Sequence, residues 1–159
     1  MFVPLTPIRC LHRAMDLFGP KVGIVCGSRQ FTYREFGERS QKLATALMKE
    51  GIQPGDRVAY LSFNTNQLLE GYYGVVQARA IVMPLNVRLS PVELINILNH
   101  SGARMLLFEN DFAPLVEKLR PCCPACSTGC SAPSSKRARS RIHLTFIWLH
   151  LPFMWLLYP

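Results

Sequence analysis

Apolar and polar positions change their spacing repeatedly along the first 119 residues, and each change marks an element. From Arg9 to Phe18, Leu11, Met15 and Phe18 fall on one face of a helix, and Gly19-Pro20 stops it. Val22–Cys26 is a short β-prone run, Gly27-Ser28 is a turn signal, and Gln30–Thr32 returns as the second strand of a hairpin. Thr32-Tyr33-Arg34-Glu35 has the form of a capping box, in which hydroxyl and carboxylate each satisfy the other's backbone amide. Behind it Phe36, Leu43 and Leu47, flanked by Ala44 and Met48, make one apolar helix face, with Gly51 as the stop.

The alternation continues. Pro54-Gly55-Asp56 is a turn into the apolar strand Arg57–Ser62. Asn64–Asn66 opens a helix to about Ala78, with Leu68, Leu69, Tyr72, Tyr73 and Val76 as its apolar positions. Gly71 and Gly74 each cost that helix about 1 kcal/mol against Ala, which is explained if a neighbour packs closely there. Ala80–Met83 is a strand ended by Pro84. Ser90-Pro91-Val92-Glu93 is a second capping box, with Pro91 at the favoured first helical position, and Ser101-Gly102 closes that helix. Met105–Phe108 is a strand, and Asp111 is placed to cap a last helix through Leu119. Helices alternating with continuous apolar strands predict an α/β class: a partial three-layer fold with a mostly parallel sheet flanked by helices, behind an N-terminal β-hairpin.

After Arg120 the pattern stops. Residues 121–141 are Cys-, Pro- and Ser-rich and then basic, which predicts a disordered linker; 142–159 are apolar and aromatic, suited to a loose helix. Charge follows the same division. Of the 18 basic residues, Lys136, Arg137, Arg139 and Arg141 lie in the tail with no acid; the other 14, with all 10 acids, lie in residues 1–120. The formal charge of +8 is therefore no nucleic-acid signature, because the front clusters no Lys and Arg with stacking aromatics. No secretory signal is read in the first 18 residues, so free thiols at Cys10 and Cys26 and a cytoplasmic location are expected.

The tail admits three readings. Cys123 and Cys126 have metal-ligand spacing, but a structural zinc site needs four ligands, and only Cys122 and Cys130 lie close. Residues 142–159 behind a basic cluster suit a membrane anchor, against which stand His143, His150 and Pro152. The abrupt change in composition also fits an out-of-frame or unspliced extension. No Gly-x-Gly-x-x-Gly, zinc-protease motif or nucleophile elbow occurs. Ser127-Thr128-Gly129-Cys130-Ser131, with Lys136, has too little glycine to turn its amides onto a phosphate.

Several ordered motifs carry a resemblance. Phe31-Thr32-Tyr33-Arg34-Glu35-Phe36 is followed by Gly51-Ile52-Gln53-Pro54-Gly55-Asp56-Arg57-Val58-Ala59, then by Asn64 and Glu70. Pro84-Leu85-Asn86-Val87-Arg88-Leu89, Glu93-Leu94 and Ser101-Gly102-Ala103-Arg104 complete the series. In this, residues 5–120 resemble the N-terminal part of the AMP-forming acyl-CoA synthetases of the adenylate-forming superfamily, most closely the medium- to long-chain fatty acyl branch. Arg79 departs from the pattern, standing where many members have Gly.

The resemblance implies an acid–thiol ligase that uses ATP, Mg2+ and CoA with a carboxylic acid, first making an acyl-adenylate and then an acyl-CoA. It also implies that the phosphate loop, the Mg2+-binding acidic motif, the ribose-binding Asp and the adenylation Lys lie beyond Arg120. The chain is thus expected to be a truncated, inactive synthetase with no catalytic residue and no bound cofactor of its own. A non-catalytic binding or tail-anchored fragment is the alternative. Arg88 is the one candidate ligand residue, for an anionic phosphate of CoA.

Overall fold

A computed structural model describes residues 5–119 and the backbone of 145–148. It has the expected α/β class, with a mostly parallel sheet, flanking helices and an N-terminal antiparallel hairpin. Two compact units divide it: Met1–Asp56 with Phe63–Val82, and Arg57–Ser62 with Met83–Pro159.

In the first unit, helix α1 (Pro7–Phe18) starts two residues before the periodicity predicts, because Thr6 caps it from Arg9 N at 3.3 Å and Pro7 takes the first turn. Strands β1 (Val22–Cys26) and β2 (Arg29–Thr32) form the hairpin about Gly27-Ser28, with Gly27 at φ +59°. Helix α2 (Tyr33–Lys49) carries the predicted capping box: Thr32 Oγ1 accepts from Glu35 N at 3.2 Å, and Thr32 N donates to Glu35 Oε2 at 2.8 Å. Its buried face contains Phe36, Leu43, Ala44 and Leu47, as predicted, but Met48, expected on the same face, is exposed.

Helix α3 (Asn66–Gln77) differs from its predicted face. Leu69, Tyr72 and Val76 are exposed, and Asn66, Glu70, Gly71 and Gly74 are buried alongside Leu68 and Val75. The reason is close approach. A Cβ at Gly74 would stand 2.8 Å from both Ser40 O and Leu43 Cδ2 of α2, so glycine rather than a large apolar residue fits the contact.

In the second unit, β3 (Arg57–Leu61) and β5 (Met105–Phe108) pair in parallel, with Val58 opposite Met105 and Leu61 opposite Phe108. The fully buried run Met105-Leu106-Leu107-Phe108 is what a strand covered on both faces requires. Helix α4 (Pro91–Ser101) has the second predicted capping box and ends at Gly102 in the left-handed region, φ 64°. A 3₁₀ turn (Asn110–Phe112), which takes in Asp111, leads into α5 (Ala113–Leu119). Leu94 and Leu98 of α4 and Val116 and Leu119 of α5 close a core over Ala59, Leu61, Leu106 and Phe108.

Strand β4 (Ile81–Pro84) spans the boundary between the units. Ile81 N bonds to Asp56 O and Leu85 N to Tyr60 O, so the chain advances in step with β3. A further strand, β6 (Thr145–Trp148), pairs in parallel with β5 and completes the order β4-β3-β5-β6. The sequence pattern predicts no strand after Leu119; pairing with β5, rather than local periodicity, defines this one.

Candidate functional site

In parallel α/β sheets the carboxyl ends of the strands are where ligands bind. In the second unit this end carries the candidate site. Beyond β3, Ser62 Oγ donates to Glu109 Oε1 at 2.6 Å, and Glu109 follows β5 directly. The backbone reinforces the pair, since Glu109 N donates to Leu61 O at 3.1 Å. Ser62 is buried and Glu109 half-buried. The two residues lie 47 apart in sequence, and nothing in the local pattern of either announces the bond.

Arg88 lies in the loop that leaves β4. Its amide donates to Asn86 Oδ1 at 3.0 Å, an Asx-type turn that fixes this loop. The Arg88 side chain is exposed, and a guanidinium in that setting is free to meet an anion. Cys123 and Cys126 lie outside the described residues, as does the residue 142–159 anchor reading except for the backbone of β6. Cys10 and Cys26 are free thiols, as expected. Among the described residues no helix is long and apolar enough to cross a membrane.

The first unit holds a polar network that sequence reasoning missed. Arg39 of α2 grips Glu70 of α3 with both arms of its fork, Nε to Oε1 at 2.6 Å and Nη2 to Oε2 at 3.1 Å. Asn66 Nδ2 donates to the same Oε1 at 2.9 Å, and the Arg39 guanidinium lies 4.9 Å from the Phe31 ring centroid. The resemblance marks Glu70 with Asn64, but the asparagine that binds Glu70 is Asn66. A glutamate at an otherwise apolar helix position was the available signal. Beside this network an open groove of about 290 Å³ lies between Ile24, Cys26, Asn64, Leu68 and Tyr72.

Two further acids, Glu35 and Glu93, act as caps. Hydrogen bonds from the Thr32 backbone and then its side chain hold Glu35 below the usual carboxylate range. The Ser90 hydroxyl, then its amide, does the same for Glu93. Among the described residues no three His, Cys, Asp or Glu side chains come together, so these residues do not fit Mg2+ as a shared ligand set.

Comparison with known proteins agrees with this architecture. The family model described as "AMP-binding enzyme" matches residues 11–144. A long-chain-fatty-acid–CoA ligase from Thermus thermophilus is 40% identical over 114 residues, covering 69% of this chain and 21% of its own. A fatty acid–[acyl-carrier-protein] ligase from Streptomyces coeruleorubidus is 38% identical over 96 residues, covering 60% and 18%. This chain therefore spans about a fifth of the length of the curated relatives it matches. Among solved structures, an anthranilate CoA ligase in complex with anthranoyl-AMP superposes with a TM-score of 0.73 at 25% identity, covering 78% of this chain and 24% of that one. A fatty acyl CoA synthetase from Mycobacterium tuberculosis has the same fold, with a TM-score of 0.71 at 24% identity over 89% of this chain and 25% of that one.

Proposed function

The chain belongs to the AMP-binding enzyme family, and from that premise we propose that it is the N-terminal scaffold of an acyl-activating ligase, without turnover of its own. In the reaction proposed for such a ligase, a substrate carboxylate oxygen attacks the α-phosphorus of ATP. A P–O bond forms, the bond to pyrophosphate breaks, and an acyl-adenylate results. The sulfur of CoA then attacks the acyl carbonyl, and the C–O bond to AMP breaks. Mg2+, where bound, supplies charge neutralisation on the phosphates; the described residues of this chain do not gather its ligands, and no step is assigned to them through it.

The observation that carries the scaffold reading is the use to which this chain puts four of its 10 acids. Glu35 and Glu93 are committed to helix caps, Glu70 to Arg39 and Asn66, and Glu109 to Ser62. Each bond holds two elements, or a helix end, in place. Arg88 stands apart from these, on a loop fixed by Asn86, and is the residue of this set suited to a phosphate of CoA.

An ATP–pyrophosphate exchange assay on the purified chain, with Mg2+ and carboxylic acids from acetate to palmitate, tests the proposal. Exchange is expected to stay at the level of the protein-free blank, and exchange or acyl-CoA formation above it overturns the scaffold reading. For Arg88, CoA titration followed by NMR is expected to shift the loop amides, and Arg88→Ala to abolish the shift; equal shifts in both forms would remove Arg88 from the proposal.

A further inference from the structure

The parallel partner of β5 comes from the tail. Thr145 stands opposite Met105, Phe146 opposite Leu106, Ile147 opposite Leu107 and Trp148 opposite Phe108. The strand lengths match, four residues against four, and the register runs without a bulge. Without β6, the side of β5 turned away from β3 would present a row of open amides and carbonyls at a strand whose side chains are almost wholly buried. We infer that this outer edge of β5 is a strand-docking surface whose occupant is the chain's own Thr145–Trp148, so that the apolar end is held in the sheet and withheld from a bilayer.

Three observations support this. First, a parallel pair needs a crossover of about a dozen residues or more, and residues 109–144, with α5 among them, supply it. Second, Thr-Phe-Ile-Trp is composed of the β-branched and aromatic types that strands favour. Third, the two fates draw on the same residues. A membrane-spanning helix needs about 20 apolar residues to cross about 30 Å of hydrocarbon. Residues 145–148 lie inside 142–159, the apolar stretch that such a helix would have to use. Strand pairing and bilayer crossing are therefore alternative states of the same residues.

Amide hydrogen exchange on the intact chain tests the assignment without any variant. Alternate amides of Met105–Phe108 face away from β3, and these are expected to exchange within roughly tenfold of the ones facing it. Exchange of the outward set about a hundredfold faster would overturn the inference. So would protection that rises with protein concentration, because the strand would then come from a second copy. Phe146→Pro/Ile147→Pro is expected to release the outward set by roughly tenfold or more, and Phe146→Val/Ile147→Val to retain its protection. Unchanged protection in the proline variant would also overturn it. With liposomes of neutral phosphatidylcholine, any chain that floats is expected to have lost β5 protection; floating with that protection intact would refute the exclusivity.

Discussion

The helix pair α2–α3 and the strand pair β3–β5 solve one problem in opposite ways. Both are close, long-range contacts buried from water. The strands do it with an unbroken apolar run, in which Val58 to Leu61 and Met105 to Phe108 exclude solvent by side-chain bulk alone. The helices do it with a glycine and a charged pair: Gly74 lets the backbones approach, and Arg39 and Glu70 lock them. Apolar burial tolerates repacking and is nondirectional. A bidentate ion pair fixes register and orientation, but it is costly to break by half.

That asymmetry is largest for single substitutions in the pair. Arg39→Met leaves the Glu70 carboxylate with only Asn66 in a site about a tenth exposed, and is expected to cost about 3 kcal/mol in urea unfolding. Arg39→Met/Glu70→Gln removes the charge and keeps an acceptor for Asn66, and is expected to recover most of the loss. A double variant as unstable as the single one would mean that α2 and α3 are held by packing, as the strands are.

In the sheet, Leu106→Ala empties a site with no exposure and is expected to cost a comparable ~3 kcal/mol, with no partner substitution able to restore it. A loss below about 1 kcal/mol would show that this core collapses into the space. Gly74→Ala comes next. The new methyl gains about 1 kcal/mol of helix propensity but meets Ser40 O, a backbone atom that cannot swing away, so a net loss of about 1–2 kcal/mol is expected. A neutral or stabilised variant, again by urea unfolding, would show that the helices separate readily and that Arg39 and Glu70 alone set their distance.

What was legible in the sequence divides along the same line. Both capping boxes, the glycine stops at Gly51 and Gly102 and the run Met105–Phe108 were readable because each is written within a few consecutive residues. The Arg39–Glu70 and Ser62–Glu109 bonds were not, because their partners lie 31 and 47 residues apart and no local rule couples them. The exposed stripe of Leu69, Tyr72 and Val76 was misassigned to the core for a related reason. Hydrophobicity alone ranks those side chains above Gly74 and Glu70, while the geometry of contact with α2 ranks them below. At the candidate site, Arg88 was legible as part of a motif; the Ser62–Glu109 pair depended on strand order.

The caps give a smaller effect with a pH signature. Thr32→Ala or Ser90→Ala is expected to cost about 1 kcal/mol at neutral pH. Glu35 and Glu93 titrate below the ordinary glutamate range in the folded chain. Their stabilisation is therefore complete above that range and is lost as pH falls through the lowered folded values. The gap between parent and variant should narrow on acidification over that window and stay flat above it. A gap that persists unchanged in acid would assign the whole effect to the hydroxyl.

The smallest effect has the opposite sign. Arg79 is the one non-glycine residue at positive φ among those described, at 62°, in the turn between α3 and β4. Its carbonyl accepts from Gly55 N at 2.9 Å and its amide donates to Val76 O at 3.0 Å, so the turn is held by backbone bonds that any residue could make. The left-handed region costs an L-residue about 1–2 kcal/mol, while glycine enters it freely at an entropic cost in the unfolded chain. Arg79→Gly should thus stabilise the turn by roughly 0.5 kcal/mol, read as a higher urea midpoint with an unchanged slope. A lower midpoint would mean that the exposed guanidinium contributes more than the strain removes, and would make Arg79 a residue kept for its side chain rather than tolerated in its turn.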